Sequence, residues 1–236
     1  MTNTAEQIEY YKTEHRHMKV ADTPFVNLIV DEFLKRGRIK KNEKLLELGA
    51  GYGRFSIPLL KKGYRAELSD VVPEMLDGLR KNFESRKLKT KIVSLDINKN
   101  PPKEKYDVIC GFHVLHHLGN LKAAFLHMNK GLKNKGRIAF VEPNGINPLF
   151  YLQMIVMPEV KWKYEKGMLR MINPTLKKAL EEADFKDIEI THFGFFPDFI
   201  VNRGFGAKLE RMFNQTKKNP MALYKMIVAH KKQGNI

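Results

Sequence analysis

One junction constrains this 236-residue chain more than any other feature. The apolar run Leu45-Leu46-Glu47-Leu48 passes straight into Gly49-Ala50-Gly51-Tyr52-Gly53-Arg54-Phe55, and a helical pattern follows to Leu60. A strand, a glycine-rich turn and a helix in that order belong to an α/β fold. There, backbone amides and a helix N-terminus approach a nucleotide-like ligand. The details narrow the ligand. A dinucleotide fingerprint places a third Gly or Ala three residues after Gly51, and that position holds Arg54. Glu47, two residues before Gly49, repels a pyrophosphate and welcomes a cation.

From Lys44 onward, strand and helix patterns alternate. Strands are expected at Lys44–Leu48, Arg65–Ser69, Thr90–Leu95, Tyr106–Phe112, Gly136–Glu142, Asp187–Phe196 and Leu223–His230. Helices are expected at Arg54–Lys62, Pro73–Ser85, Leu121–Lys130 and Pro174–Ala183, two of them stopping at Gly63 and Gly131. This alternation predicts a doubly wound, mostly parallel sheet. A helical prelude precedes it, with Phe25–Leu34 reading as a helix that ends at Gly37.

The acids at successive strand ends then select a ligand. Asp70 lies about twenty residues beyond the glycine turn, where a carboxylate accepts both ribose hydroxyls. Asp96 follows the third strand, placed to accept from an adenine amino group. Glu47, Asp70 and Asp96 together suit S-adenosylmethionine, which carries an adenosine, an ammonium and a sulfonium but no phosphate. With Leu46 through Gly53, Asp70 through Leu76, Leu95-Asp96, Phe112 through Leu118 and Gly136 through Pro143, the chain resembles class I S-adenosylmethionine-dependent methyltransferases of the broad small-molecule type.

That resemblance implies a seven-stranded Rossmann-like sheet ending in an antiparallel hairpin, Asp187–Phe196 with Leu223–His230. It implies that Glu47 stands near the methionine ammonium, and that Gly49, Ala50 and Gly51 let the backbone approach the cofactor. Asp70 would hold the ribose, Val71 would pack on adenine, and Asp96 with Ile97 would line the base pocket. Phe112 and His113 would close over the sulfonium. The product would be S-adenosylhomocysteine.

Methyl transfer is an in-line displacement, so alignment and exclusion of water matter most. A base matters only for an acceptor that arrives protonated. His113 is the candidate; His116 and His117 either serve the same end or cap the turn before Leu118. Neither His15-Arg16-His17 nor the later histidines have an acidic partner at ligand spacing, so no metal is expected.

Accessory segments would shape the acceptor site. Residues 1–43 read as an N-terminal helical lid, with the aromatic pair Tyr10-Tyr11, and residues 44–236 as the methyltransferase domain. A cap insertion spans about 144–173, holding Trp162, Tyr151, Tyr164 and four methionines. Phe195-Phe196-Pro197-Asp198-Phe199 leads into a basic amphipathic stretch. Tyr11, Glu142, Asn144, Trp162 and Phe196 are the expected acceptor contacts. The acceptor is expected to be small and partly apolar, with an O, N or C nucleophile, and a lipid- or quinone-like molecule fits that description.

The net charge of +16 leaves three readings open: a solvated lysine-rich surface, contact with an anionic membrane, or nucleic acid. An RNA- or protein-modifying methyltransferase is the alternative function, and a non-catalytic cofactor-binding regulator a further one. Against the first, the fourth-strand exit Phe112-His113-Val114-Leu115 lacks an Asn/Asp-Pro-Pro-aromatic loop, and no RNA-binding module is visible. The N-terminus lacks a signal-peptide pattern and no apolar run spans a bilayer. The single Cys110 reads as a buried small hydrophobe, consistent with a cytoplasmic protein.

Overall fold

The computed structural model describes residues 4–12, 20–148, 167–168, 171–214 and 222–233. Trp162, His15, His17 and most of the expected 144–173 insertion lie outside them. One seven-stranded sheet runs in the order β3-β2-β1-β4-β5-β7-β6. Its strands are β1 (Lys44–Leu48), β2 (Arg65–Asp70), β3 (Ile92–Ser94), β4 (Tyr106–Phe112), β5 (Leu132–Pro143), β6 (Phe185–Phe193) and β7 (Tyr224–Lys231). The pairings β3-β2-β1-β4-β5 are parallel, and β7 runs antiparallel to both β5 and β6. The mostly parallel, doubly wound sheet is what the alternation of patterns predicts, and the seven strands with an antiparallel β6-β7 hairpin are what the resemblance implies.

The period-two alternation of the strands makes two cores. Leu45, Val108, Cys110 and Phe112 face one layer; Leu46, Leu48 and Ile109 face the other. The first layer contains α2 (Pro24–Arg36), α3 (Ser56–Lys61) and α4 (Pro73–Glu84); the second contains α5 (Leu121–Gly131) and α6 (Asn173–Glu181). In α2, the Thr23 hydroxyl accepts from Val26 N and Pro24 opens the first turn. Phe25, Val26, Ile29, Val30 and Phe33 then bury fully into the first core, so α2 is built into the domain. Only α1 (Thr4–Tyr11) stands apart in sequence and lies over the strand ends.

Some boundaries differ from the sequence pattern for identifiable reasons. β3 has three residues because the preceding Thr90 turns its hydroxyl onto the Ala66 carbonyl. β5 starts at Leu132, four residues early, with Lys135 at φ 65° and a register shift against β4. β6 stops at Phe193 because Gly194 adopts φ 83°. The basic stretch after it forms two short helices, α7 (Asp198–Val201) and α8 (Gly206–Phe213). Cys110 is fully buried in β4, which pushes its thiol well above the usual range. Among the described residues no helix is long and apolar enough to cross a membrane.

Candidate active site

The strand order reverses between β1 and β4, and their carboxyl ends are where such a sheet opens a ligand crevice. The glycine turn occupies this point. Gly49, Gly51 and Gly53 all have positive φ (66°, 53° and 90°), which side chains on L-residues resist. At Gly49 there is also no room: a Cβ would meet Val114 Cγ2 at 2.5 Å. The β1 turn and the β4 exit are therefore packed backbone to side chain. Ala50 N donates to Ser69 O (2.9 Å), tying the same turn to the end of β2.

The three acids converge here. Glu47 is 2% exposed, its Oε2 has no hydrogen-bond partner, and burial raises its pKa to about 7. Asp70 is also buried: Oδ2 accepts from Gly51 N (2.8 Å), and Oδ1 from Val71 N (2.7 Å) and Val72 N (3.0 Å). Desolvation nevertheless raises its pKa above the ordinary value. A carboxylate offers about four acceptor sites, so one remains on Asp70 for a ribose hydroxyl. Asp96 follows β3, with Oδ1 capping Asn98 N (3.0 Å) and Oδ2 at 3.5 Å from Lys99 Nζ. Leu95 N donates to Asp70 O (3.2 Å), holding the second and third acids side by side. Val71 is half-buried beside them, while Ile97 packs into the core with Leu48 and Leu118.

The β4 exit is organised by one buried carboxylate. Glu142, fully buried near the end of β5, accepts from Val114 N (2.8 Å) and Leu115 N (2.7 Å) through Oε1. Its Oε2 lies 2.6 Å from His116 Nδ1. The neighbouring His116 charge and the hydrogen bonds hold Glu142 below the usual carboxylate range despite burial. It is thus ionised, accepts only, and fixes the proton on His116 Nδ1. Next along the turn, His117 Nε2 lies 3.0 Å from the Tyr11 hydroxyl, and the two rings meet edge to face. This brings α1 onto the β4 exit across 106 residues of sequence.

His113 leaves β4 in a strained conformation, φ 55°, with its amide bonded to Val141 O (2.8 Å). Its ring stacks on Tyr224 (5.4 Å between centres, 4° between planes) and abuts Phe55. Nε2 is buried without a partner, and burial pulls the imidazole down to about 3. Arg54 joins this cluster, its guanidinium 5.5 Å from the Phe55 ring and 5.8 Å from Phe25. Burial lowers the Arg54 pKa, and the negative potential of Tyr224 and Asp198 opposes that shift. Phe112 stacks on Phe55 at 4.7 Å behind the cluster.

Sequence reasoning brought Glu47, Asp70, Asp96 and His113 to one crevice and missed Arg54 and Tyr224 as partners of His113. In the sequence Arg54 stands out only as a departure from the dinucleotide fingerprint, and Tyr224 only as a strand residue. Among the expected acceptor contacts, Tyr11 sits at the crevice through His117. Glu142 is spent on the turn that carries the histidines. Asn144 is buried, donating to Leu223 O and Ala222 O, so it ties the exit of β5 to the entry of β7. Phe196 is half-buried; its amide donates to Glu210 Oε2 and its ring meets Phe213. No cluster of three metal-ligating side chains occurs among the described residues.

These residues fit the cofactor that the sequence suggests. An unpartnered buried carboxylate oxygen suits an ammonium, and the positive-φ glycines of the turn place no side chain between the backbone and a ligand. The comparisons agree. A family model described as a methyltransferase domain matches residues 14–190. Malonyl-[acyl-carrier protein] O-methyltransferase 1 of Ilyobacter polytropus is 26% identical over 196 residues, covering 79% of this chain and 72% of that protein. Juvenile hormone acid O-methyltransferase of Drosophila melanogaster is 27% identical over 158 residues, covering 63% and 53%. The chain spans only 4% of a matched polyketide synthase of Fusarium mangiferae. Among solved structures, phosphoethanolamine N-methyltransferase 2 of Haemonchus contortus with bound S-adenosyl-L-methionine shares the fold. Its TM-score is 0.61 at 14% identity, over 88% of this chain and 52% of that one. The chain belongs to the methyltransferase-domain family, the class I enzymes that use S-adenosylmethionine.

Proposed function

We propose that this chain transfers the methyl group of S-adenosylmethionine to a carboxylate oxygen of a small, partly apolar acid. The carrying observation is the cluster of Arg54, Phe55, His113 and Tyr224 at the β4 exit, beside the glycine turn. A general base works best with a pKa near the operating pH. An imidazole pulled down to about 3 stays neutral and takes protons poorly, so His113 serves as a wall and hydrogen-bonding group. The acceptor must then arrive deprotonated. Carboxylic acids do so at pH 7, whereas phenols and amines do not. A protonated amine would also meet the charge of Arg54. The two O-methyltransferases named above, one for a malonyl group and one for an acid, support the same chemistry.

Within this reading Glu47 pairs with the ammonium, Asp70 holds the ribose, and Asp96 with Val71 and Ile97 holds the base. When bound, S-adenosylmethionine supplies a methyl group already activated on sulfonium. Arg54 orients the acceptor carboxylate, and Phe55, Tyr224 and His113 exclude water from it. The turn held by Glu142 keeps His113 in place.

Two tests follow. With methyl-labelled cofactor and a panel of fatty and aromatic acids, label is expected in alkali-labile esters and absent from matched phenols and amines. Arg54→Met is expected to lower kcat/KM for the acid about tenfold to a hundredfold, the worth of one charged hydrogen bond. S-adenosylhomocysteine affinity should stay unchanged. Alkali-stable label in the phenols or amines, or an unaffected Arg54→Met enzyme, would contradict the proposal.

Glu47 adds a pH dependence. Its raised pKa means that the free, folded chain holds a proton up to about pH 7. An ammonium partner favours the ionised form, so binding expels that proton. Affinity for S-adenosylhomocysteine should therefore rise as pH climbs toward 7, by at most about tenfold per unit, and then level off. Titration calorimetry from pH 5.5 to 7.5 would test this, with Glu47→Gln expected to flatten the profile.

A further inference from the structure

The connection between β6 and β7 is built inside out. Glu210 is 1% exposed and Asn214 7%, both turned inward. Glu210 accepts from Phe195 N and Phe196 N, and Asn214 Oδ1 accepts from Gly194 N (2.7 Å). At the other end of the segment, Asn202 Oδ1 accepts from Phe25 N (3.0 Å), and Arg36 donates to Asn214 O. Polar ties thus clamp α7 and α8 onto α2. Large apolar side chains of the same segment are exposed: Phe199 is 62% exposed, Phe205 67%, Met212 61% and Phe213, whose ring also packs on Phe195 and Phe196, 46%. They are four of the six exposed large hydrophobics among the described residues, gathered within fifteen positions. Such a concentration on one short helix pair points to an interaction surface, since scattered single exposed apolar residues need no explanation.

Basic residues are interleaved with them. Arg203, Lys208 and Arg211 are exposed on the same segment, and Asp198 is its only exposed acid. The chain as a whole carries +16, so a second copy of it would bring like charge to the contact. Aromatic and Met side chains beside Arg and Lys, on a rigidly held helix pair, match the way interfacial helices enter the headgroup boundary. The apolar groups sink into the acyl edge and the cations stay at phosphate level. We propose that α7 and α8 form a docking surface for an anionic phospholipid bilayer. The surface adjoins the acceptor side, because Asn202 at the end of α7 holds Phe25 N and the Phe25 ring lies 5.8 Å from the Arg54 guanidinium. A bilayer there would deliver an apolar acid directly, but the docking itself requires neither cofactor nor acceptor.

Sedimentation of the full chain with phosphatidylcholine vesicles, with or without phosphatidylglycerol, tests this at low salt and without cofactor. Binding is expected to the anionic vesicles only, and to weaken steeply as salt rises. The double substitution Phe199→Ser with Phe205→Ser should lower it at least tenfold without shifting the melting temperature, since both side chains are exposed. Lys208→Gln with Arg211→Gln should lower it and flatten the salt dependence, which keeps the test decisive if the first variant folds poorly. Failure to bind anionic vesicles, equal binding to neutral ones, or undiminished binding by both variants would overturn the proposal. So would a finding that the exposed Phe residues serve only self-association or RNA binding. Because no turnover is measured, failure here would leave the carboxylate reading untouched.

Discussion

Glu142→Ala is expected to destabilise the fold by about 3–5 kcal/mol, the usual result of breaking a buried charged pair. The cause is specific. Truncation leaves Val114 N, Leu115 N and His116 Nδ1 without their acceptor in a site from which water is excluded. Each buried donor left unmade costs about 1–3 kcal/mol. For a chain of this size that corresponds to a fall in melting temperature of about 10 °C. Glu142→Gln retains an acceptor for the two amides and should lose about half as much. The pH dependence has a definite sign. Glu142 has a folded pKa below its ordinary value, so its contribution is present above about pH 4.5 and is lost as pH falls through the folded pKa. Urea unfolding should show wild type and Glu142→Ala far apart at pH 7 and converging as pH falls below 4.5. Equal separation at both pH values would show that ionisation plays no part. Activity should fall as well, because the same turn carries His113 and supports Val114 against Gly49.

Local signals were legible in the sequence; long-range juxtapositions were not. The strand, glycine turn and helix at residues 45–60 can be read directly, because positive φ and lack of Cβ space leave glycine as the fitting residue. Asp70 and Asp96 were legible because strand ends in a parallel sheet recur at regular spacing and face one crevice. The short β3 and the early start of β5 depended on a side-chain bond at Thr90 and a bulge at Lys135, which periodicity does not encode. The cluster was hidden for a different reason. Arg54 and Tyr224 are 170 positions apart and meet only because β7 inserts between β5 and β6. Tyr11 and His117 likewise meet through the docking of α1. Glu142 illustrates a subtler limit. Its position at the end of β5 suggests a group facing the acceptor, yet its carboxylate is turned into the protein and binds Val114 N, Leu115 N and His116 Nδ1.

Asp70→Ala carries the largest expected effect on ligand binding. Asp70 joins the glycine turn to the end of β2 through Gly51 N, Val71 N and Val72 N, and keeps one acceptor site open. Removing it deletes the ribose contact and releases the turn that shapes the cradle. The one charge-assisted ribose bond is worth about 1.5–3 kcal/mol and the loosened turn adds to that, which together correspond to a loss of at least about a hundredfold in affinity. Asp70→Asn keeps the shape and some acceptor capacity, and should fall between. The decisive measurement is calorimetric titration of wild type and Asp70→Ala with S-adenosylhomocysteine, with NAD as the control. The account predicts a single saturable site in wild type, affinity lowered at least a hundredfold in Asp70→Ala, and no heat from NAD. Saturable binding of NAD with none of S-adenosylhomocysteine, or equal affinity in the two proteins, would contradict it.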